Sequence, residues 1–299
     1  MSRIGRSIAL AFALASSSAL AAAPAWVARS DAYTQPVLQD TGKFAPEESS
    51  QLGDESFDTA VADFKPRDYE RQLADTEKRL KELRRQRASE KDVKVRQDLD
   101  ILIDSREKLI ASMKLEHQYL LNYVNVGELV YGGLNALLDP RNKPERQKAA
   151  LVRLKRYVGK ENGYTPIATL VRARSEERLA NKALIGPYVG EVEEGLNNNA
   201  TYMDGIEALF KKAGLTGWEA DFAALKAQVK DYDDWVKSRI LPRARKEVRL
   251  PERIYANRLL NVGVDISPEQ LIERAGFDFQ EVRDQMQVVA AAIAAQHKL

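Results

Sequence analysis

The sequence predicts an all-α protein, a long amphipathic helical hairpin followed by an irregular multi-helix array with little or no strand. Three observations predict it. Apolar residues recur at helical spacing through most of the chain, as in Leu73, Leu80 and Leu83 and again in Val95, Leu99, Leu102, Ile103, Leu109, Ile110 and Met113. Proline, glycine and Ser/Asp capping residues punctuate those runs where helices begin and end. No run alternates apolar and polar residues for long enough to demand a sheet.

Taken in order, the first 23 residues read as a secretory signal peptide, with Arg3 and Arg6 as the basic region, Ile8 to Leu14 as the apolar region and Ala19-Leu20-Ala21 as the cleavage pattern. Export to the periplasm or outside the cell follows, with no membrane span after cleavage. The chain has no cysteine, so neither a lipid-bearing cysteine nor a disulfide is available and stability must come from packing. Composition is that of a globular chain, 44% hydrophobic and 30% charged. Removing two of the 46 basic residues with the signal leaves 44 against 44 acids, a balance that excludes a charge-driven nucleic-acid binder.

Residues 24–64 hold eight acidic and two basic residues, three prolines and no sustained apolar period, and are expected to be an acidic disordered leader. The helical domain is expected over residues 65–299. Pro66 suits the start of an amphipathic helix to about Arg87, and a longer helix from about Glu90 to Val124 folds back on it. Gly127, Gly132 and Gly133 are expected to loosen the chain before a helix over Pro144 to Tyr157. Thr165-Pro166 opens a helix towards Ile185, Gly186-Pro187 breaks it, and further helices run from Pro187 to Leu196, Tyr202 to Lys212 and Trp218 to Ile240, where Pro242 ends the last. Three shorter helices close the chain, with capping boxes at Ser267/Gln270 and Asp278/Glu281 and stops at Gly263 and Gly276.

A search for chemistry returns no catalytic residue and no metal ligand set. The chain has two histidines, His117 and His297, and neither has an acidic or histidine neighbour one turn away, so His117 reads as a packed or half-exposed helix residue. There is no Gly-x-Ser-x-Gly elbow and no phosphate-binding loop. The one notable charge run is Lys237, Arg239, Arg243, Arg245, Lys246, Arg249, Arg253 and Arg258. Either it presents bidentate arginines to a substrate carboxylate, or it complements a helix C-terminus and pairs with Asp231, Asp233 and Asp234.

The same region carries a family resemblance. Tyr232-x-x-Trp235, Ile240-Leu241-Pro242-Arg243-Ala244, Leu250, Tyr255, Leu259-Leu260 and Ile266-Ser267-Pro268-Glu269-Gln270-Leu271 together resemble the middle of the bacterial family called domain of unknown function 885, over the chain from about Ala60 onward. The resemblance implies a helical, exported protein related to zinc-dependent peptidases, whose His-Glu-x-x-x-x-His-like metal motif lies in the second half of a longer chain. No position here matches that motif, so the resemblance implies no cofactor in this chain and zinc in the other half. It implies an N-terminal half that forms one wall of the substrate cleft, with that C-terminal half and a peptide-like substrate as partners and with Arg243, Arg245 and Tyr255 on the substrate side. The alternative is a stand-alone helical binding or scaffold protein that uses the Pro66 to Val124 hairpin as its partner surface.

Overall fold

The computed structural model describes residues 24–297, so the expected signal peptide lies outside the described residues. They form eleven α-helices and no strand: α1 (Ala25–Phe44), α2 (Pro46–Gln51), α3 (Asp68–Ser89), α4 (Val93–Tyr119), α5 (Val126–Leu138), α6 (Pro144–Tyr157), α7 (Ile167–Leu179), α8 (Val189–Lys212), α9 (Glu219–Trp235), α10 (Glu252–Asn261) and α11 (Pro268–His297). Extended pairing among them is confined to two isolated parallel bridges, Leu120 with Ile185 and Tyr188 with Arg245. None of these helices is long and apolar enough to cross a membrane.

The expected hairpin is α3 and α4. Its inter-helix ion pairs Glu77–Lys114, Arg84–Glu107 and Arg87–Asp100 advance along the two helices in opposite senses, as an antiparallel pair requires. Leu83, Val95 and Leu99 are buried between them, and Val37 of α1 completes this small core. Part of the hairpin's apolar face is therefore covered by the chain's own N-terminal helix.

That covering corrects the expected disordered leader. Two helices and a short 3-10 turn at Glu55–Phe57 occupy most of residues 24–64, and Ser50, Glu47 and Asp58 are buried. Part of the acid surplus that suggests disorder serves docking instead, because three of the eight carboxylates meet basic side chains of the rest of the chain. Asp40 takes Arg79, Asp63 takes Arg71 at 2.6 Å, and Asp58 takes Arg146 at 3.0 Å. Three arginines at positions 146, 153 and 156 of α6 hold the segment down. Arg153 donates to the Phe57 carbonyl at 2.6 Å and Arg156 to that of Thr59 at 2.7 Å, while Arg146 also donates to the Ser50 carbonyl.

The main core is built around α5, whose Val126, Val130, Leu134, Leu137 and Leu138 are all at most 2% exposed. Helices α2, α6, α7, α8 and α9 pack round it. The glycines expected to loosen this stretch are inside the helix, and two of the three, Gly127 and Gly133, serve close approach. A Cβ on Gly127 would overlap the Asn199 amide, and one on Gly133 would overlap the Tyr157 hydroxyl.

Three other boundaries differ from expectation. Helix α7 ends at Leu179 and the chain is extended at Ile185, because Ile185 bridges to Leu120. Helix α8 runs through Asn197 to Asn199, since Asn199 is buried and donates to Asp233 at 2.7 Å. At the C-terminus the Ser267/Gln270 box forms in both directions, at 3.1 and 3.2 Å, but α11 then continues unbroken through Gly276 to His297.

Candidate functional site

The connection between α4 and α5 organises the surface. Leu120 to Val124 leave the helix and run extended, the Leu121 N–H donating to the Ile185 carbonyl and the Ile185 N–H to that of Tyr119, both at 2.8 Å. In a parallel ladder the next rung would come from the N–H of residue 187. Pro187 has none, so the ladder stops and the two segments part. The Pro187 carbonyl instead accepts from the Arg245 N–H at 2.8 Å. Beyond the break, the N–H groups of Asn122, Tyr123 and Val124 meet no acceptor among the described residues. Residues 122 and 124 face the opposite edge, where the Asn122 carbonyl accepts from Ser175 and the Val124 carbonyl from Tyr232 at 2.9 Å, so the Tyr123 N–H is the one of the three on the edge opened at Pro187.

Three concavities border this extended segment and share lining residues, Glu116 and Asn122 between the first and second and Tyr123, Val124 and Glu191 between the second and third, and together they are termed the groove. The first, about 530 Å³, lies between the start of α3, the end of α4 and α7, and is lined by Arg67, Tyr69, His117, Arg174 and Arg178 with Asp68, Glu70, Glu116 and Glu177. The second, about 320 Å³, fills the opening at Gly186-Pro187 and is lined by Arg245, Arg258, Glu116 and Glu191. The third, about 490 Å³, has only acids among its charged residues, Glu128, Glu191 and Glu194, beside Tyr123, Asn125 and Tyr202. The groove thus passes from mixed charge to purely negative.

At the first end His117 stacks on Tyr69, ring centroids 3.6 Å apart and nearly parallel. Arg178 lies against the imidazole and donates to the carbonyls of His117 and Leu120, which closes the C-terminus of α4. Burial, helped by the neighbouring Arg178 charge, holds the His117 pKa below the ordinary histidine value. The nitrogens Nε and Nη1 of Arg174 and Nε of Arg178 and Arg245 are buried and meet no acceptor among the described residues. Such buried nitrogens carry a desolvation cost, and Nε of Arg106 and of Arg153, away from the three concavities, are in the same state. Arg67 at the rim has φ 60°, the one positive φ of a non-glycine residue among those described.

Of the residues the sequence places on the substrate side, the structure brings only Arg245 to the groove. Its Nη1 donates to the Glu247 carbonyl at 2.6 Å and its guanidinium lies over the Tyr188 ring. Arg243 turns inward and donates to the carbonyls of Leu179, Asn181 and Leu184, closing the end of α7. Tyr255 stands on α10, 42% exposed, and lines none of the three concavities. Sequence reasoning did not find Arg174, Arg178, Glu128 or Glu191 as groove residues, because the signal that joins them is the break in pairing at Pro187, which is tertiary.

Among the described residues no three His, Asp or Glu side chains are grouped to hold a metal ion. The residues present do not fit the zinc that the family resemblance implies, and no chemical step here passes through it.

Fold and site define an all-helical domain with adjoining concavities along an incompletely paired extended segment. The chain belongs to the family described as bacterial protein of unknown function (DUF885), whose model matches residues 46–299. That match reaches back over α2, well before the boundary at residue 65 that composition suggests. No curated protein and no solved structure matches the chain.

Proposed function

We propose that this domain is the substrate-side wall of a peptidase-like cleft in an exported protein, and that it binds an extended peptide while the catalytic metal and base come from outside these residues. The observation that carries the reading is the unpartnered Tyr123 N–H, which follows Leu121 on the edge left open where the ladder stops at Pro187. An extended peptide supplies the missing acceptor by adding a strand to that edge, and its side chains fall alternately into and out of the flanking concavities. Charge sets its direction. The ammonium of the peptide sits among Glu128, Glu191 and Glu194, and main-chain or carboxylate oxygens further along meet Arg245 and Arg174. Export is proposed on the same footing, from the residues at 1–23 and from a first described helix that starts at Ala25, directly after the cleavage pattern.

Calorimetric titration with pentaalanine, once with free termini and once N-acetylated, tests this reading. The free peptide binds, acetylation weakens it about tenfold, and Glu191→Gln removes most of that difference. Equal affinities, or no binding by either peptide, contradict it.

A further inference from the structure

The largest uncovered apolar surface is α11. None of its residues is buried, and Ile272, Phe279, Met286 and Val289 are 58–72% exposed. Single exposed apolar residues are ordinary, but a contiguous set along a helix of 30 residues, about 45 Å long, marks an interaction surface.

The spacing of this set is informative. Ile272, Ala275, Phe279, Val282, Met286, Val289 and Ile293 follow one another at alternate steps of three and four, the a and d positions of a heptad repeat carried through three full heptads. A period of 3.5 residues supports supercoiling against another helix of the same period. Phe277, Val288 and the alanines at 290, 291, 292, 294 and 295 are apolar positions outside the seam, and it does not account for them.

Flanking charges select the partner. With Ile272 at a, Asp278 is a g position and Arg283 the e position five residues on. In a parallel, in-register pairing these two positions face each other across the interface, so Asp278 of each copy meets Arg283 of the other. Asp278 has no ion-pair partner among the described residues, and Arg283 has only its neighbour Asp284 at 3.8 Å. The rest of the fold does not obstruct this, since α11 touches it through α10 alone among its substantial contacts.

We propose that α11 associates in parallel with α11 of a second copy of this chain, through the Ile272 to Ile293 seam, so that two grooves are carried on one coiled-coil stem. Because the seam and the groove share no residue, this inference stands or falls separately from the peptide reading.

The absence of cysteine makes the test clean. The full chain is studied by light scattering on a sizing column, and Ala275→Cys and Val289→Cys are prepared as separate single variants. Parallel association predicts a mass of at least two chains, and each variant crosslinks to itself on mild oxidation. In an antiparallel pairing centred on the helix, residues 275 and 289 would oppose each other, so crosslinks would appear only when the two variants are mixed. That outcome overturns the proposal, as does a monomer at about 100 μM or an assembly in which neither variant crosslinks. Phe279→Glu with Met286→Glu yields a monomer with an unchanged helical spectrum, since neither side chain is in the core. Asp278→Arg weakens association on the order of tenfold, and adding Arg283→Asp restores it.

Discussion

Glu47 is where docking of the N-terminal segment on the fold is most open to test. Its Oε1 accepts from the Ala62 N–H at 3.0 Å and from the Tyr157 hydroxyl at 2.8 Å, and all three residues are buried. Burial and the nearby Glu47 charge push the Tyr157 pKa well above the ordinary tyrosine value, so this hydroxyl remains a donor at every accessible pH. Glu47→Ala leaves two buried donors without an acceptor, at about 1–3 kcal/mol each, and opens a small void beside Gly133. The expected loss is therefore about 3–5 kcal/mol. Glu47→Gln keeps an acceptor oxygen in place and costs about 1–2 kcal/mol. Urea unfolding followed by circular dichroism measures both, and limited proteolysis of the alanine variant shows cleavage between Phe44 and Phe64 that the wild type resists. A loss below about 1 kcal/mol for Glu47→Ala, with residues 24–64 cleaved equally fast in both proteins, would refute the docked arrangement.

Three further outcomes follow from the site and its surroundings. Burial pushes the Asp233 carboxyl up to about 6. A raised acid pKa means that the folded state holds its proton where the unfolded state has lost it, so this residue's contribution to stability falls as pH rises from about 4 to 6, and Asp233→Asn is more stable than wild type at pH 8 by about 1–2 kcal/mol. His117 has a lowered pKa, so the unfolded chain takes up its proton first on acidification and stability is lost as pH falls through the ordinary histidine range. Its imidazole should titrate by NMR below 6.5, and Arg178→Gln should move it upward. Arg243→Ala costs about 1.5–3 kcal/mol in urea unfolding and leaves peptide affinity unchanged, whereas Arg245→Gln lowers peptide affinity with little loss of stability; the reverse pattern would mean that the two arginines have been assigned the wrong roles.

Much of the fold is legible in the sequence because helix periodicity and capping are local. The all-helical class, the antiparallel pairing of α3 with α4, helix α6 and the Ser267/Gln270 cap all follow from spacing and residue type. What is not legible depends on distant partners. Residues 24–64 lack an apolar period because they are held by buried hydrogen bonds and by the arginines of α6, and their acidity is matched elsewhere in the chain. The glycines of α5 look like breakers until Tyr157 and Asn199 are seen against them. Of the candidate site, Arg245 is visible as part of a basic run, but its difference from Arg243 is set by which carbonyls each can reach. The heptad seam of α11 is present in the sequence, and Gly276 hides it by suggesting a helix end where none occurs.

The proposed binding role rests on the open edge at Tyr123, and amide hydrogen exchange at that residue tests it most directly. In the free protein its N–H meets no acceptor among the described residues and exchanges fast. With saturating pentaalanine carrying free termini, the account predicts that the Tyr123 amide slows by an order of magnitude or more, as an N–H entering a ladder does, while amides on α11 are unaffected. Unchanged exchange at Tyr123 under saturating peptide would contradict it.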